Sequence, residues 1–290
     1  MILVTGASGN IGSALVRVLR ERGAVLKAAA RSDTEGDRSS MALDFLDPRT
    51  FAPAVDGCDA VFLLRPPAIS KMRSTLNVFI DVARRVGVKQ IVFVSVAGAE
   101  RNTLVPHHAV EEHLKAGPSD WTILRPGFFA QNLTGAYRRD IVEDERIYVP
   151  AADGRVAFID ARDVADVAAT ALLGGSRHLG QQYLLTGPEP LSFYDVAGLL
   201  GLALKRPIRY QPAGVLGYAA HLAHQRIPAM QILVQTILHV SLRKGGAELV
   251  DATLADLLGR PPRSVREFIQ DHRALFQAPN RPEPRCLSGC

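Results

Sequence analysis

At 290 residues, 47% of them hydrophobic and 22% charged, the chain has a globular composition that excludes a disordered or fibrous protein and leaves room for one large domain or a domain with a lobe. Its formal charge of +5 includes no lysine-rich run, so no nucleic-acid partner is expected. Cys58, Cys286 and Cys290 have neither zinc-site nor disulfide-framework spacing, and no apolar run reaches the length of a membrane span; a cytoplasmic, metal-free protein with no membrane partner is expected.

The first strand, residues 1–4, runs into Thr5-Gly6-Ala7-Ser8-Gly9-Asn10-Ile11-Gly12, and an apolar helix pattern (Ile11, Leu15, Val16, Val18, Leu19) follows at once. Strand, glycine turn and helix in that order make the context of a dinucleotide site. The first glycine allows a tight turn, the second lets backbone approach a pyrophosphate, and the third lets the helix pack against the strand. The helix N-terminus then offers unpaired N–H groups to the phosphates. Cofactor contacts are accordingly assigned to Thr5, Gly6, Ser8, Gly9, Asn10, Ile11 and Gly12. A second strand over 24–30 ends at Arg31, 19 residues past Gly12 (31 − 12). An acid at that place bonds the ribose of NAD, whereas a guanidinium pairs with a 2′-phosphate. NADP is therefore favoured, with Asp33 keeping NAD as the lesser option.

A short third strand over 41–45 carries Asp44 and Phe45. Asp44 either accepts from the adenine amino group, with Phe45 beside the ring, or caps a helix starting near Pro48. A fourth strand over 60–64, a helix over 70–86, a fifth strand over 90–95, a helix over 106–116 and a sixth strand over 121–124 continue the alternation. Strand and helix in turn predict an α/β Rossmann fold: a doubly wound parallel sheet with helices on both faces. Ligands sit at the carboxyl ends of such strands, which adds Leu64, Arg65, Ser95 and Pro126 to the cofactor set. Beyond 130, strands are expected over 156–159 and 182–185, and helices over 162–173, 191–204, 214–239 and 265–276. The expected division is a dinucleotide-binding domain over 1–130, its sheet completed by parts of 155–187, a mostly helical substrate lobe over 131–278, and a disordered tail over 279–290.

These stretches resemble one family. Gly6-Ala7-Ser8-Gly9-Asn10-Ile11-Gly12 is similar to the glycine motif of extended and atypical short-chain dehydrogenase/reductases. Val94-Ser95-Val96-Ala97-Gly98, His107-His108-Ala109-Val110-Glu111-Glu112, Thr122-Ile123-Leu124-Arg125-Pro126-Gly127-Phe128-Phe129 and Asp160-Ala161-Arg162-Asp163-Val164 resemble segments of its NmrA-like branch, and the likeness covers nearly all of 1–275. That branch contains both reductases and proteins that sense NADP without turning it over. The resemblance puts the tyrosine of the short-chain Tyr-x-x-x-Lys pair near Thr103 and the lysine at or next to His107, and neither residue type is present there.

His107 is then a candidate for the nicotinamide ribose or for proton donation near neutral pH, or simply a polar residue in a first helical turn. Ser95 orients a carbonyl or bonds the cofactor, or caps a strand end. Val96, Phe128, Phe129 and Asn132 are candidates for substrate contact, the aromatics equally for ordinary core. His221 and His224 lack a third ligand for a metal, and neither a hydrolase elbow nor a Walker loop is present. The expected function is an NADPH-dependent oxidoreductase, monomeric or homodimeric, that transfers hydride to a flat, electron-poor small molecule (a quinone, enone or imine) without a Tyr-Lys dyad. The alternative is a non-catalytic NADP(H)-binding redox sensor of NmrA type.

Overall fold

The computed structural model describes residues 1–30, 40–118 and 120–277. Its first stretch contains β1 (Ile2–Val4), α1 (Asn10–Glu21), β2 (Leu26–Ala30), β3 (Ser40–Ala42), α2 (Phe51–Val55), β4 (Ala60–Leu64), α3 (Leu76–Val86), β5 (Gln90–Val94), α4 (Pro106–Lys115) and β6 (Trp121–Pro126). There follow α5 (Arg138–Glu143), β7 (Arg146–Ile147), β8 (Arg155–Ala157), α6 (Ala161–Leu173), β9 (Gln181–Leu185), β10 (Pro190–Ser192), α7 (Phe193–Leu204), β11 (Arg209–Tyr210), α8 (Val215–His224), α9 (Ala229–Leu242), α10 (Thr253–Leu258) and α11 (Val265–Asp271).

The chain forms two compact units. The first comprises Met1–Phe129, Ala157–Pro188 and Val250–Arg263. It is built on seven strands in the order β3-β2-β1-β4-β5-β6-β9. All six pairings are parallel. The strands alternate strictly between two apolar cores, as a sheet buried on both faces requires. Ile2, Val4, Phe62, Val92 and Val94 pack with residues of α1 and α6. Leu3, Val61, Leu63, Ile91 and Phe93 pack with residues of α2, α3 and α4. Strand order reverses between β1 and β4, and that switch point is where a doubly wound sheet opens a crevice for ligands.

Element ends differ from the sequence expectation where local backbone intervenes. The helix expected over 70–86 starts only at Leu76, because Thr75 takes a non-helical φ of −127° after a 3₁₀ turn over Met72–Ser74. The third strand ends at Ala42 rather than 45. Asp160 caps α6, its carboxylate accepting from the Arg162 amide. The stretch 250–263, expected in the lobe, belongs to the first unit. Arg260 and the Arg263 amide each bond the fully buried Asp163 at 2.7 Å, and Arg260 also reaches Asp166.

The second unit comprises Ala130–Val156, Glu189–Leu249 and the chain from Ser264. The helical run expected over 214–239 is two helices, α8 and α9. Pro228, as N-cap of α9, has no N–H to continue α8 and biases Ile227 away from helix. Among the described residues no helix is long and apolar enough to cross a membrane.

Candidate cofactor-binding and active site

The glycine turn lies at the switch point of the first unit. Gly6 sits at φ +63°, where a side chain is strained, and a Cβ there would stand 2.9 Å from Leu64 Cδ2. A Cβ on Gly12 would come within 2.1 Å of the Gly6 carbonyl oxygen, so only glycine lets α1 sit this close to the turn. The Gly9 amide donates to that same oxygen at 2.9 Å. Thr5 pins the tops of the two switch strands together: its amide donates to the Phe62 carbonyl (3.0 Å) and its Oγ1 accepts from the Leu64 amide (2.8 Å). Gly9 caps α1 without a side-chain bond, and no acid stands in the first turn. Ser8, Gly9 and Asn10 are exposed, while Ile11 and Gly12 are buried under the turn. Uncapped amides at the positive end of a 12-residue helix, approached over glycines whose Cβ positions must stay empty, fit a pyrophosphate.

Arg31 and Asp33 lie outside the described residues, as do Cys286, Cys290 and the tail over 279–290. Asp44 is exposed, and its Oδ1 accepts from the Leu46 amide. The helix-capping alternative for Asp44 is corrected: Asp47 caps the turn at Pro48, accepting from the Arg49 amide. Phe45 is corrected too. It is buried edge-on to Phe79 at 5.3 Å and tilted toward Phe51, so its ring fills the core instead of facing an adenine.

Beyond β4, Arg65 organises the loop and α4 together. Its Nη1 donates to the carbonyls of Pro66, Pro67 and Ile69, and its Nε donates to Nε2 of His107 at 3.3 Å. Arginine has no acceptor, so Nε2 accepts and the imidazole proton sits on Nδ1. That Nδ1 is buried and has no hydrogen-bond partner. Burial, then the Arg65 charge, push the His107 pKa down to about 4, against a smaller opposing pull from Glu111. His107 is therefore neutral near pH 7. Protonated His107 is not the acid the sequence allowed for; what it offers is one oriented, unspent N–H.

One helical turn further along α4, Glu111 is fully buried. It accepts from Ser95 Oγ (2.5 Å), Arg125 Nε (2.9 Å) and Arg125 Nη2 (2.5 Å), and Arg125 Nη2 also donates to Gln182 Oε1 at 2.6 Å. Burial raises the Glu111 carboxyl pKa, but the hydrogen bonds from Arg125 and Ser95 outweigh it and hold the group below its ordinary value. Ser95 is thus turned inward at 1% exposure, its hydroxyl engaged by Glu111. The network joins the ends of β5 and β6 and the start of β9 to α4. In the sequence Ser95, Glu111 and Arg125 stand in separate motifs with nothing to pair them; the one signal is an acid on the helical turn that also buries Val110 and Leu114.

The segments after β5 and β6 extend the same edge. The Ala97 amide donates to the Pro126 carbonyl, and the Gly127 amide to the Leu185 carbonyl. Pro126 is buried and Val96 half-buried. Phe128 is buried edge-on to Phe158 at 5.6 Å, a core position, whereas Phe129 is half-buried. Asn132 lies in the second unit, where its carbonyl accepts from the Tyr137 amide. Among the described residues no group of three or more His, Cys, Asp or Glu is placed to hold a metal.

A doubly wound parallel sheet with an acid-free glycine cradle at its switch point defines a Rossmann dinucleotide-binding protein. Residues 6–173 match the family model described as NAD(P)H-binding. The chain is 33% identical over 290 residues to an NAD(P)H azoreductase from Xenophilus azovorans, covering 96% of this chain and 100% of that one. Its fold is similar to that of an NADPH-dependent quinone oxidoreductase from Escherichia coli complexed with NADPH (TM-score 0.82, 23% identity, 93% of this chain and 99% of that one). It is similar also to that of a Citrobacter sp. triphenylmethane reductase complexed with NADP(H) (TM-score 0.82, 21% identity, 93% and 99%). The chain belongs to the NAD(P)H-binding family. It is an NAD(P)H-dependent reductase.

Proposed function

We propose that this protein reduces a flat, electron-poor small molecule (a quinone, an enone, an imine or an azo compound) at the expense of NADPH, without a tyrosine–lysine pair. The observation that carries this is His107, buried and neutral where the family resemblance puts the lysine. A neutral imidazole whose tautomer is set by Arg65 donates a hydrogen bond well and an acidic proton poorly. That suits an acceptor whose conjugation stabilises the charge arriving with hydride, since it needs no strong protein acid. The named substrates of the similar proteins, azo compounds, a quinone and triphenylmethanes, are conjugated acceptors of this sort.

The bound cofactor supplies the hydride; the chain supplies position and electrostatics. The amides of Asn10, Ile11 and Gly12 would hold the pyrophosphate, and Arg31 would pair with the 2′-phosphate. The His107 Nδ1–H meets a ribose hydroxyl or the acceptor. Ser95, Glu111 and Arg125 hold the rim of the sheet in place around it. Val96 and Phe129 provide apolar wall and exclude water. The test is reduced-nicotinamide absorbance followed across a panel of quinones, enones, imines, azo compounds and simple aldehydes, with deuterium placed at the transferable position. Turnover of the conjugated acceptors is expected, with label retained in reduced enones and imines, where hydride reaches carbon, and exchanged into water from the oxygen or nitrogen of reduced quinones and azo compounds. Tight NADPH binding with no turnover of any acceptor would favour a redox sensor instead.

A further inference from the structure

In the second unit, α9 turns His239 and, in part, Gln235 and Thr236 inward, while Gln231 and Ser241 are exposed. His239 is 2% exposed; its Nε2 accepts from the Tyr137 hydroxyl at 2.5 Å, and its Nδ1 donates to the Gln235 carbonyl at 2.6 Å. The Gln235 side chain accepts from the Tyr218 hydroxyl of α8 at 3.2 Å. These bonds fix the rotation of the helix about its axis. Its outward side is apolar: Met230, Leu233, Val234 and Ile237, at spacings of three, four and seven residues, are each between 53% and 71% exposed. On α8, Leu216 is 85% exposed. A helix that meets only water turns the other face outward, and apolar surface of this extent marks a docking site.

Charge identifies what docks. None of the 14 residues of α9 is Asp, Glu, Lys or Arg. From Val196 to Ala247 the sequence contains no Asp or Glu at all, but it contains Lys205, Arg206, Arg209, Arg226, Arg243 and Lys244. Arg226 and Lys244 flank the two ends of α9 and are exposed. Two copies packed through α9, parallel or antiparallel, would bring cationic helix ends together with no carboxylate from these segments between them. An anionic surface with an apolar interior meets both features at once.

We propose that α9 docks this protein on an anionic lipid bilayer. The Met230–Leu233–Val234–Ile237 face enters the acyl boundary, and Arg226 and Lys244 meet lipid phosphates. At 14 residues the helix is too short to span a bilayer and lies along its surface. The test is co-sedimentation of the full chain with phosphatidylcholine vesicles, with and without phosphatidylserine. Binding to the serine-lipid vesicles is expected to be at least about tenfold tighter than to phosphatidylcholine alone and to weaken as salt is added. Leu233→Glu with Ile237→Glu should lower it about tenfold or more, and Arg226→Glu with Lys244→Glu should remove the preference for phosphatidylserine. Retained NADPH binding, with an unchanged circular-dichroism spectrum and thermal unfolding profile, shows that each variant is folded in both units. No sedimentation with serine-lipid vesicles, no dependence on lipid charge, or wild-type binding by the apolar-face variant would overturn the proposal. So would a concentration-dependent dimer that Leu233→Glu with Ile237→Glu dissociates, which would assign the face to a second copy.

Discussion

The Arg65 guanidinium donates through Nε to Nε2 of His107 across 3.3 Å. That single bond sets the imidazole tautomer, leaves Nδ1–H as the available donor, and adds a repelling charge beside an already buried ring. Arg65→Gln is expected to raise the His107 pKa from about 4 toward its ordinary value near 6.5 and to release the carbonyls of Pro66, Pro67 and Ile69. An NMR titration of the imidazole measures the first effect. A pH profile of kcat that shifts with it ties the residue to turnover, and an unmoved His107 pKa counts against the electrostatic account.

Stability should fall in mild acid. His107 and His239 are each held at about 4 in the folded protein, chiefly by burial. In the unfolded chain each takes up its proton near pH 6.5, so between about pH 6.5 and 4 the unfolded state binds more protons. The stability of the neutral forms is complete above that window and is lost as pH falls through it, by up to about 3 kcal/mol for each histidine. Urea unfolding at stepped pH measures the slope; His239→Gln should remove its share, and an unchanged slope would count against a low folded-state pKa.

Glu111 should be worth more to stability than any surface ion pair. Glu111→Gln leaves Arg125 short of its buried partner and is expected to cost about 3 kcal/mol, with Ser95→Ala costing about 1 kcal/mol. Because both side chains share one network, the double variant should depart from additivity by at least about 0.5 kcal/mol in denaturant titrations. Additive losses would indicate independent roles.

Gly12→Ala puts a methyl group into the Gly6 carbonyl and should lower NADPH affinity at least about tenfold while reducing Tm. Gly198→Ala is the control. It lies in α7, where an added Cβ meets nothing within 4 Å, and should be neutral or stabilising by up to about 1 kcal/mol. Fluorescence titration with NADPH and thermal unfolding distinguish the two.

Arg31→Ala should weaken NADPH about tenfold more than NADH, since only the 2′-phosphate loses its partner. Paired titrations with the two cofactors measure this, and equal losses would remove Arg31 from cofactor selection.

The sheet and the cradle were legible because their causes are local. Gly6, Gly9 and Gly12 stand three apart between an apolar strand and an amphipathic helix, and each glycine answers a steric demand within a few residues of itself. Phe45 was misplaced because strand alternation was carried past Ala42, where the backbone leaves β3 and the ring joins Phe51 and Phe79. The return of 250–263 to the first unit brings Leu254 into the core beside α6 and Arg260 onto Asp163 across 97 residues, contacts that no periodicity signals.

By itself, then, the sequence determined the doubly wound architecture and the nucleotide cradle, since hydrophobic period and glycine sterics act between near neighbours. The tertiary structure alone decided the state of the residues around the cradle. Burial and Arg65 made His107 neutral, Glu111 turned Ser95 inward, and the bonds of His239 and Gln235 turned the apolar face of α9 outward. Desolvation and charge depend on which distant side chains meet, and the chain settles that only when it folds.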